Sequence, residues 1–312
     1  MSSKNNIHVI FNPAARGGKA QRIIAKLKDL LAEELGFSPI FHPTNQPLEA
    51  TDFARQAVDD GADLIISVGG DGTIQEIING MYTSEGALVN PDCQLGLLNY
   101  GSGQGLAISL GLPNNLREQI RLLKSTKGVA VDVWEIQYVD PSGAPAQRYF
   151  INECQIGVGG VVVAATKQRH KWWAGGLAYG LHTLKQIFVG QAYPMDLRMN
   201  GQGPVQGVFF GLVLANGSNM GGGMKLVPSA DLHDQQLEVL QIHGMNIPQR
   251  LWNFSKVYSG KHLDSKFFSL DQVQTIDMDS ALRVPIAADG EWLGFLPAQV
   301  RRLAEPISVR IS

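Results

Sequence analysis

Apolar residues follow two alternating spacings through the first 125 residues of the chain. Apolar runs of strand length recur at residues 7–11, 38–42, 64–68 and 95–98. Between them, apolar residues at helical spacing predict amphipathic helices after a Gly17-Gly18 break and after a capping region at Thr44-Asn45. Repeated strand–helix units predict a parallel sheet covered by helices, with ligands at the carboxyl ends of its strands.

The pattern changes near residue 128 to short β-branched runs separated by turns. Strands are predicted at residues 129–133, 208–214, 237–242, 267–278 and 282–287, and one helix over residues 167–189. We therefore predict an α/β nucleotide-binding domain with a parallel sheet over residues 1–127, followed by a β-sandwich-like domain over 128–312. The sequence leaves open whether the last segment of the chain returns to the first domain.

Composition narrows the class of protein. The chain has 312 residues, 44% of them hydrophobic, with a net charge of -2 and a pI near 6.4. A protein with this net charge lacks the overall positive field that usually accompanies nucleic-acid binding, so nucleic acid is not an expected partner. The first residues do not resemble a signal peptide, and residues 208–215, the longest apolar run, are too few to span a bilayer. A cytoplasmic enzyme with at most peripheral contact at the inner membrane face is expected.

Gly69-Gly70-Asp71-Gly72-Thr73 joins a predicted strand to a predicted helix. Glycines let backbone N–H groups approach an anion closely, and the helix amino end adds partial positive charge. The loop thus predicts phosphate binding, with Asp71 either orienting loop backbone or working through a bound cation. Alone, the same five residues could form a tight turn in which Asp71 bonds its own backbone.

Two more polar loops follow predicted strands. Asn12-Pro13 comes after the first strand, and residues 99–107, beginning Asn99-Tyr100-Gly101-Ser102-Gly103, come after the strand at 95–98. Carboxyl ends of parallel strands meet at one sheet edge, so these loops are expected to converge on the glycine loop at 69–73.

These motifs, in this order and with Asp289-Gly290-Glu291 near the carboxyl end, resemble the diacylglycerol kinase and sphingosine kinase catalytic-domain superfamily. The resemblance spans nearly the whole chain and includes Asn216-Gly217-Ser218-Asn219 with the glycines at 221–223. It implies a lipid kinase that transfers the ATP γ-phosphate to the hydroxyl of a membrane-derived lipid, diacylglycerol or sphingoid-like, with ATP bound between an α/β and a β domain.

The resemblance also assigns residues to roles. ATP would be bound by a set of loop residues, namely Asn12, Pro13, Thr44, Gly69, Gly70, Asp71, Gly72, Thr73 and Ser102. Glu291 is favoured as the base that takes the proton of the lipid hydroxyl, with Asp289 the next choice; the other would orient the hydroxyl or hold Mg²⁺. Their spacing of two puts both side chains on one face if the backbone is extended, whereas an Asp-Gly hairpin turn is the alternative.

A structural Mg²⁺ is implied at the Asp234 side chain with the carbonyls of Asp231 and Gln236. The family's glycine after the aspartate is Gln235 here, so a solvated acidic turn stays open. In the third loop, diacylglycerol kinases carry Gly-Thr-x-Asn-Asp, whereas Gly101-Ser102-Gly103 is closer to the sphingosine kinase version. The acceptor is therefore left open.

Three further alternatives complete the sequence-based picture. Trp172 and Trp173, beside basic residues, suit either a membrane surface or the surface between domains. An NAD kinase-like enzyme shares the loop at 69–73 and an Asn152-Glu153 pair, but does not account for Asn12-Pro13 or residues 289–291. A catalytically weak nucleotide- or lipid-binding sensor would not need the carboxylates. The sequence does not indicate an oligomeric state.

Overall fold

The computed structural model describes residues 6–36, 38–101, 104–167, 185 and 188–311. Contacts between Cα atoms divide these residues into two compact units. The first comprises the described residues up to Val133 and those from Leu303 onward, and the second comprises Trp134–Arg302. The sequence predicted a boundary between residues 127 and 128, whereas the first unit continues to Val133.

The first unit contains a helix-covered sheet. Its strands are β1 (Ile7–Phe11), β2 (Ile40–Pro43), β3 (Leu64–Gly69), β4 (Gln94–Asn99), β5 (Val129–Val131) and β16 (Ile307–Arg310). Its helices are α1 (Ala15–Leu35), α2 (Glu49–Asp59), α3 (Asp71–Met81), α4 (Gly105–Ser109) and α5 (Leu116–Leu122). The strand order is β2-β1-β3-β4-β16-β5, and every pair is parallel except β16 with β5. The predicted parallel α/β sheet is confirmed.

Burial explains why a continuous apolar run forms the central strand. Every residue of β3 is buried, because helices cover both faces of a parallel sheet. Leu27 and Leu31 of α1 pack into the same core as Ile66. Gly80 lets α2 and α3 approach closely, since a Cβ at this position would lie 2.7 Å from the Cβ of Ala54.

Two local predictions in this unit are wrong. Gly17-Gly18 does not break the chain, because α1 already begins at Ala15 and continues through both glycines. Thr44-Asn45 does not cap α2, which begins at Glu49 after Leu48 in a left-handed conformation with φ of 70°. The Glu49 carboxylate instead accepts hydrogen bonds from the backbone N–H groups of residues 45 and 46.

The second unit is built mainly from antiparallel strands. They are β6 (Trp134–Val139), β7 (Pro145–Phe150), β8 (Glu153–Gly157), β9 (Tyr193–Met199), β10 (Val205–Ala215), β11 (Leu237–His243), β12 (Phe268–Val273), β13 (Thr275–Asp279), β14 (Pro285–Ala288) and β15 (Glu291–Arg302). Two of its helices have described bounds, α6 (Val158–Lys167) and α7 (Ile247–Lys256), and residues 185, 188 and 189 are helical as well. The described 3-10 turns are Gly221–Gly223, Val257–Ser259 and Lys261–Asp264. The predicted β-rich second domain is confirmed.

The pairing of these strands closes a ring. The order β10-β8-β14-β15-β13-β9 returns to β10 through β9, while β11 and β12 extend the sheet from β10 and β6 and β7 extend it from β15. Trp134, Phe150, Ile156 and Phe209 are fully buried in the resulting core. The six strands of the ring are each paired on both sides, as in a closed barrel, whereas β7 and β12 are edge strands outside the ring.

Other predictions for this unit differ from the structure. The strand predicted over residues 267–278 is two strands, because β12 pairs with β11 whereas β13 pairs with β15 and β9. Neither α6 nor α7 was predicted, although Asn246 and Gln249 form a capping box at the start of α7. Most of the helix predicted over 167–189, with Trp172 and Trp173, lies outside the described residues. Among the helices that are described, none has both the length and the apolar character needed to cross a membrane.

Candidate active site

Asn12 and Thr44 meet at the carboxyl edge of the first sheet. The Asn12 N–H donates to the carbonyl of Val68 at 3.2 Å, and the Asn12 side-chain oxygen accepts from the N–H of Ala14 at 2.9 Å, which turns the chain through Pro13 toward α1. Thr44, directly after β2, donates its N–H to the Phe11 carbonyl at 2.9 Å. Asn12 and Thr44 therefore both lie at the edge of the sheet where the sequence predicted the Asn12-Pro13 loop.

The glycine loop lies at the same edge, between β3 and α3. Gly69 ends β3, α3 begins at Asp71, and the Gly70 carbonyl accepts the N–H of Thr73 at 3.0 Å. Thr73 is buried beneath Gly69, so a Cβ at position 69 would lie 2.7 Å from the Thr73 Cβ. Only glycine fits there. A strand, a glycine turn and a helix amino end are the arrangement that suits a phosphate group.

Asp71 joins the second loop to the third. Its carboxylate accepts the N–H of Gly105 at 3.3 Å, at the start of α4, and a further backbone hydrogen bond from Leu106. The residue keeps some accessible surface, yet burial of the carboxyl is the largest influence on its pKa and raises it, while the two N–H donors lower it. Asp71 thus orients loop backbone, which is the first of the two functions that the sequence offered for it.

The third loop is described on both sides of residues 102 and 103. The Tyr100 N–H donates to the Gly69 carbonyl at 2.9 Å, which fixes the loop beside the glycine turn. Ser102 lies outside the described residues. A cavity of about 380 Å³ opens here, and four of its six lining residues carry amide side chains, namely Asn99, Gln104, Asn114 and Gln119. Amides of this kind can donate to and accept from a nucleotide.

Asp289 occupies a tight turn in the second unit, not an extended strand. Asp289 and Gly290 have φ of 47° and 79°, and they connect β14 to β15 as a hairpin. The Asp289 carboxylate is buried and accepts the backbone N–H groups of Ile151, Asn152 and Glu153 at 2.9, 2.9 and 3.0 Å. Of the two geometries that the sequence left open, the structure has the Asp-Gly hairpin turn, and the Asp289 carboxylate binds backbone N–H groups of its own unit.

Glu291 follows the hairpin turn as the first residue of β15 and is partly exposed. Because Asp289 binds the backbone of residues 151–153, the turn that carries Glu291 is fixed to the edge of β8. A carboxylate with access to solvent, on a fixed backbone, can accept a proton from a hydroxyl. The two carboxylates that the sequence treated as one pair therefore have different surroundings, because Asp289 is buried against backbone N–H groups and Glu291 is partly exposed.

A buried amide network supports this turn, and the sequence did not reveal it. The Asn216 side chain accepts from the Trp134 indole at 2.9 Å and donates to the Ile151 carbonyl at 2.6 Å. The Asn152 side chain donates to the Asn219 carbonyl at 3.0 Å. The segment 216–223, which the resemblance singled out, thereby fixes the backbone whose N–H groups bind Asp289.

The same network bears on the Asn152-Glu153 pair of the NAD kinase alternative. Asn152 is buried, and its side chain bonds protein backbone. Glu153 is also buried and accepts from the Gln155 amide at 3.1 Å. Both side chains are therefore buried in the second unit and form hydrogen bonds with other groups of that unit.

The acidic turn at residues 231–236 carries exposed carboxylates at Asp231 and Asp234 and contains no glycine. The Asp234 carboxylate accepts the Gln236 N–H at 2.9 Å, and the Asp231 carboxylate accepts the His233 N–H at 3.0 Å. Gln235 has φ of 62°, the left-handed conformation that glycine adopts without cost. Among the described residues no three His, Cys, Asp or Glu side chains cluster as metal ligands.

Gln235→Gly is expected to raise the free energy of unfolding by up to about 1 kcal/mol, because it removes the left-handed strain of a side chain with a Cβ. Urea unfolding in metal-free buffer measures the change. Gln236→Gly is the matched control, since Gln236 is not in the left-handed region and should lose stability instead. Equal losses in both variants would contradict the strain at 235.

A second cavity, of about 130 Å³, lies within the second unit and is almost entirely apolar. It is lined by α6, β10 and α7, with Met220, Met224 and Met245 among its apolar side chains and Arg250 and Asn253 among its few polar ones. Apolar cavities of similar size stay dry and accept apolar guests. Methionine-rich walls adapt to guests of different shape.

Comparisons with known proteins show which family this chain is similar to. Residues 6–136 match the diacylglycerol kinase catalytic domain, and residues 153–311 match the YegS C-terminal NAD kinase beta sandwich-like domain. The chain is 26% identical to a diacylglycerol kinase of Bacillus subtilis over 96% of this chain and 94% of that protein. It is 30% identical to a Chromohalobacter salexigens protein named "Probable lipid kinase YegS-like" over 76% of this chain and 72% of that protein.

Solved structures share the fold. A diacylglycerol kinase from Bacillus anthracis superposes with a TM-score of 0.70 at 18% identity, covering 100% of this chain and 98% of that chain. Yeast NADH kinase superposes with a TM-score of 0.51 at 12% identity, covering 99% of this chain and 84% of that chain. The two domain matches and the 30% identical relative show that the chain belongs to the diacylglycerol kinase-like lipid kinase family.

Proposed function

We propose that the protein transfers the γ-phosphate of ATP to a hydroxyl group of a lipid. The observation that carries this proposal is the glycine loop of residues 69–73 at the edge where Asn12 and Thr44 also lie. Backbone N–H groups and a helix amino end at that edge suit the phosphates of ATP. Family membership supports a kinase, and the proposal adds the donor, the acceptor class and the residues.

The donor residues form one group in the first unit. Gly69, Gly70 and Gly72 bring backbone close to the phosphates, Thr73 packs beneath the turn, and Asp71 orients the third loop. We also assign ATP contacts to Asn12, Pro13, Thr44 and Ser102. That ATP lies in a cleft between two domains, as the resemblance implies, stays a prediction.

We assign the proton transfer to Glu291. Its carboxylate takes the proton from the lipid hydroxyl, the hydroxyl oxygen bonds to the γ-phosphorus, and the bond from that phosphorus to the bridging oxygen of ADP breaks. Asp289, with three backbone N–H donors, acts as a positioning residue that fixes the turn carrying Glu291. Its own proton affinity is not needed for the step.

Mg²⁺ enters the proposal at two places. When bound with ATP, it would neutralise charge on the phosphates. At the acidic turn, the Asp234 side chain and the carbonyls of Asp231 and Gln236 would hold a second ion that stabilises the turn.

The apolar cavity of the second unit supports a lipid as the acceptor. It lies in the unit that carries Glu291, and its lining is apolar apart from Gln155, Arg250 and Asn253. An acyl or other hydrocarbon chain fits such a lining, whereas the ribose and phosphates of NAD would lose hydrogen bonds to water there. This favours the lipid kinase over an NAD kinase-like enzyme.

Labelled ATP offered with a panel of acceptors tests the proposal. The panel contains diacylglycerol, a sphingoid base, an undecaprenol-like alcohol and NAD, each in mixed micelles. We expect labelled phosphate on at least one of the lipids and none on NAD. Phosphorylation of NAD alone would favour the NAD kinase-like reading, and no product from any acceptor despite ATP binding would favour a sensor.

A further inference from the structure

Helix α7 has two faces of different character. Its inner face carries Asn253 and Phe254, which line the apolar cavity, and Arg250, whose guanidinium lies 4.2 Å from the Phe210 ring centre. Its outer face carries Ile247, Leu251 and Trp252, all exposed. One helix thus walls the cavity and presents apolar side chains to solvent.

The apolar exposure on the outer face is concentrated. Trp252 is 67% exposed, Ile247 42% and Leu251 38%, and Tyr258, just beyond the helix, is 52% exposed. Single exposed apolar residues are common on protein surfaces, but four within twelve residues, with a tryptophan among them, form a patch. We call these four residues the α7 patch.

The surroundings of the α7 patch are basic. The Lys256 ammonium lies 5.0 Å above the Trp252 ring, Lys225 is exposed and donates its N–H to the Val257 carbonyl at 3.1 Å, and Lys261 is exposed. No aspartate or glutamate occurs from Gly244 through Leu263, and Asp264 is the first that follows. A chain with a net charge of -2 therefore has a local surface of positive charge here.

We propose that the α7 patch docks on the surface of an anionic lipid bilayer. Tryptophan and tyrosine favour the boundary between headgroups and hydrocarbon, and lysines beside them gain from anionic headgroups. A helix lying in the plane of that boundary with its apolar side down is the known geometry for such sequences. That a lipid enters the cavity behind α7 from the docked position rests on the proposed function, whereas the docking itself does not.

Charge argues for a bilayer over a second copy of the chain. Two copies packed through this face by two-fold symmetry would bring the lysines of one copy toward those of the other. Like charges at such a contact are unfavourable. An anionic membrane has the opposite charge over an area larger than the patch.

Vesicle sedimentation with the full chain tests the docking. The vesicles contain phosphatidylcholine alone or mixed with phosphatidylglycerol, and the variants are Trp252→Ala and the double change Lys256→Glu with Lys261→Glu. We expect binding to the anionic vesicles that weakens with salt and falls at least about tenfold in each variant. Ile40→Ala is the control, because Ile40 is 52% exposed on β2 and lies outside the patch.

The outcomes separate this inference from the proposed function. Unchanged vesicle binding by both variants would overturn the docking, even if lipid phosphorylation is observed. A dimer in sedimentation velocity that Trp252→Ala dissociates would overturn it too, since a second copy would then cover the patch. With a short-chain diacylglycerol that is soluble without a bilayer, Trp252→Ala should turn over as the wild type does. Binding that follows the expected pattern stands even if no lipid is phosphorylated.

Discussion

Glu291→Gln is expected to lower kcat for lipid phosphorylation by about 100- to 10,000-fold, the range that removal of a general base produces. Glutamine has nearly the same shape but cannot accept the proton of the lipid hydroxyl at neutral pH. ATP binding should be unchanged, because the proposed ATP residues lie in the first unit. Steady-state kinetics with a micellar lipid, together with ATP titration calorimetry, measure the two quantities.

A control is needed for the loss of a negative charge in the second unit. Asp196→Asn removes the charge of an exposed carboxylate in β9 and should leave kcat within about twofold, as surface changes away from a site do. If Glu291→Gln retains full turnover, Glu291 is not the base. A weakened ATP affinity with normal kcat would likewise contradict the assignment.

Asp289→Ala is expected to lower the free energy of unfolding by about 4 kcal/mol. The carboxylate accepts three buried backbone N–H groups, and alanine leaves all three without that acceptor. Alanine also tolerates the left-handed φ of 47° less well than aspartate. Urea unfolding followed by circular dichroism measures the loss, and Asp289→Asn, which keeps an acceptor oxygen and tolerates this φ, should lose less.

Asp140 provides the matched control for Asp289. In its turn, the Asp140 carboxylate accepts from the Ser142 N–H, the Ser142 hydroxyl and the Ala144 N–H at 2.8, 2.6 and 2.9 Å. These donors are near solvent, so water can replace the carboxylate in Asp140→Ala and the loss should be much smaller. Equal stability of wild type and Asp289→Ala, combined with lost activity, would show that Asp289 takes part in the chemistry itself.

The arrangement of the glycine loop at the edge of the first sheet could be predicted because its signals are local. A buried strand, a glycine turn and a helix follow one another within residues 64–81, and parallel strands bring their carboxyl ends together. The position of Thr44 beside Phe11 follows from the same rule. Local spacing and one topological rule were sufficient for this edge.

The geometry around Asp289 and Glu291 could not be predicted to the same depth, because it depends on residues distant in the sequence. The donors that bind Asp289 come from residues 136 to 138 positions earlier in the chain. By sequence alone Asp-Gly favours a hairpin turn, and only the pairing of two carboxylates called for an extended backbone. The buried donors that bind Asp289 decide for the turn. The apolar cavity likewise combines α6, β10 and α7.

Helix α7 shows a different limit. Its capping box at Asn246 and Gln249 was readable, but the surrounding β-rich pattern outweighed ten residues of helix. Ile247, Leu251 and Phe254 also follow the spacing of an amphipathic helix, so this second signal was present in the sequence as well.

Transfer of label from ATP into the organic phase tests the central claim most directly. ATP labelled at the γ-phosphate and ATP labelled at the α-phosphate are each incubated with the protein and a micellar lipid alcohol, and the lipid is extracted. The proposal predicts lipid-bound label from γ-labelled ATP, in the same molar amount as the ADP formed, and none from α-labelled ATP. ATP consumed without label in the lipid would contradict it.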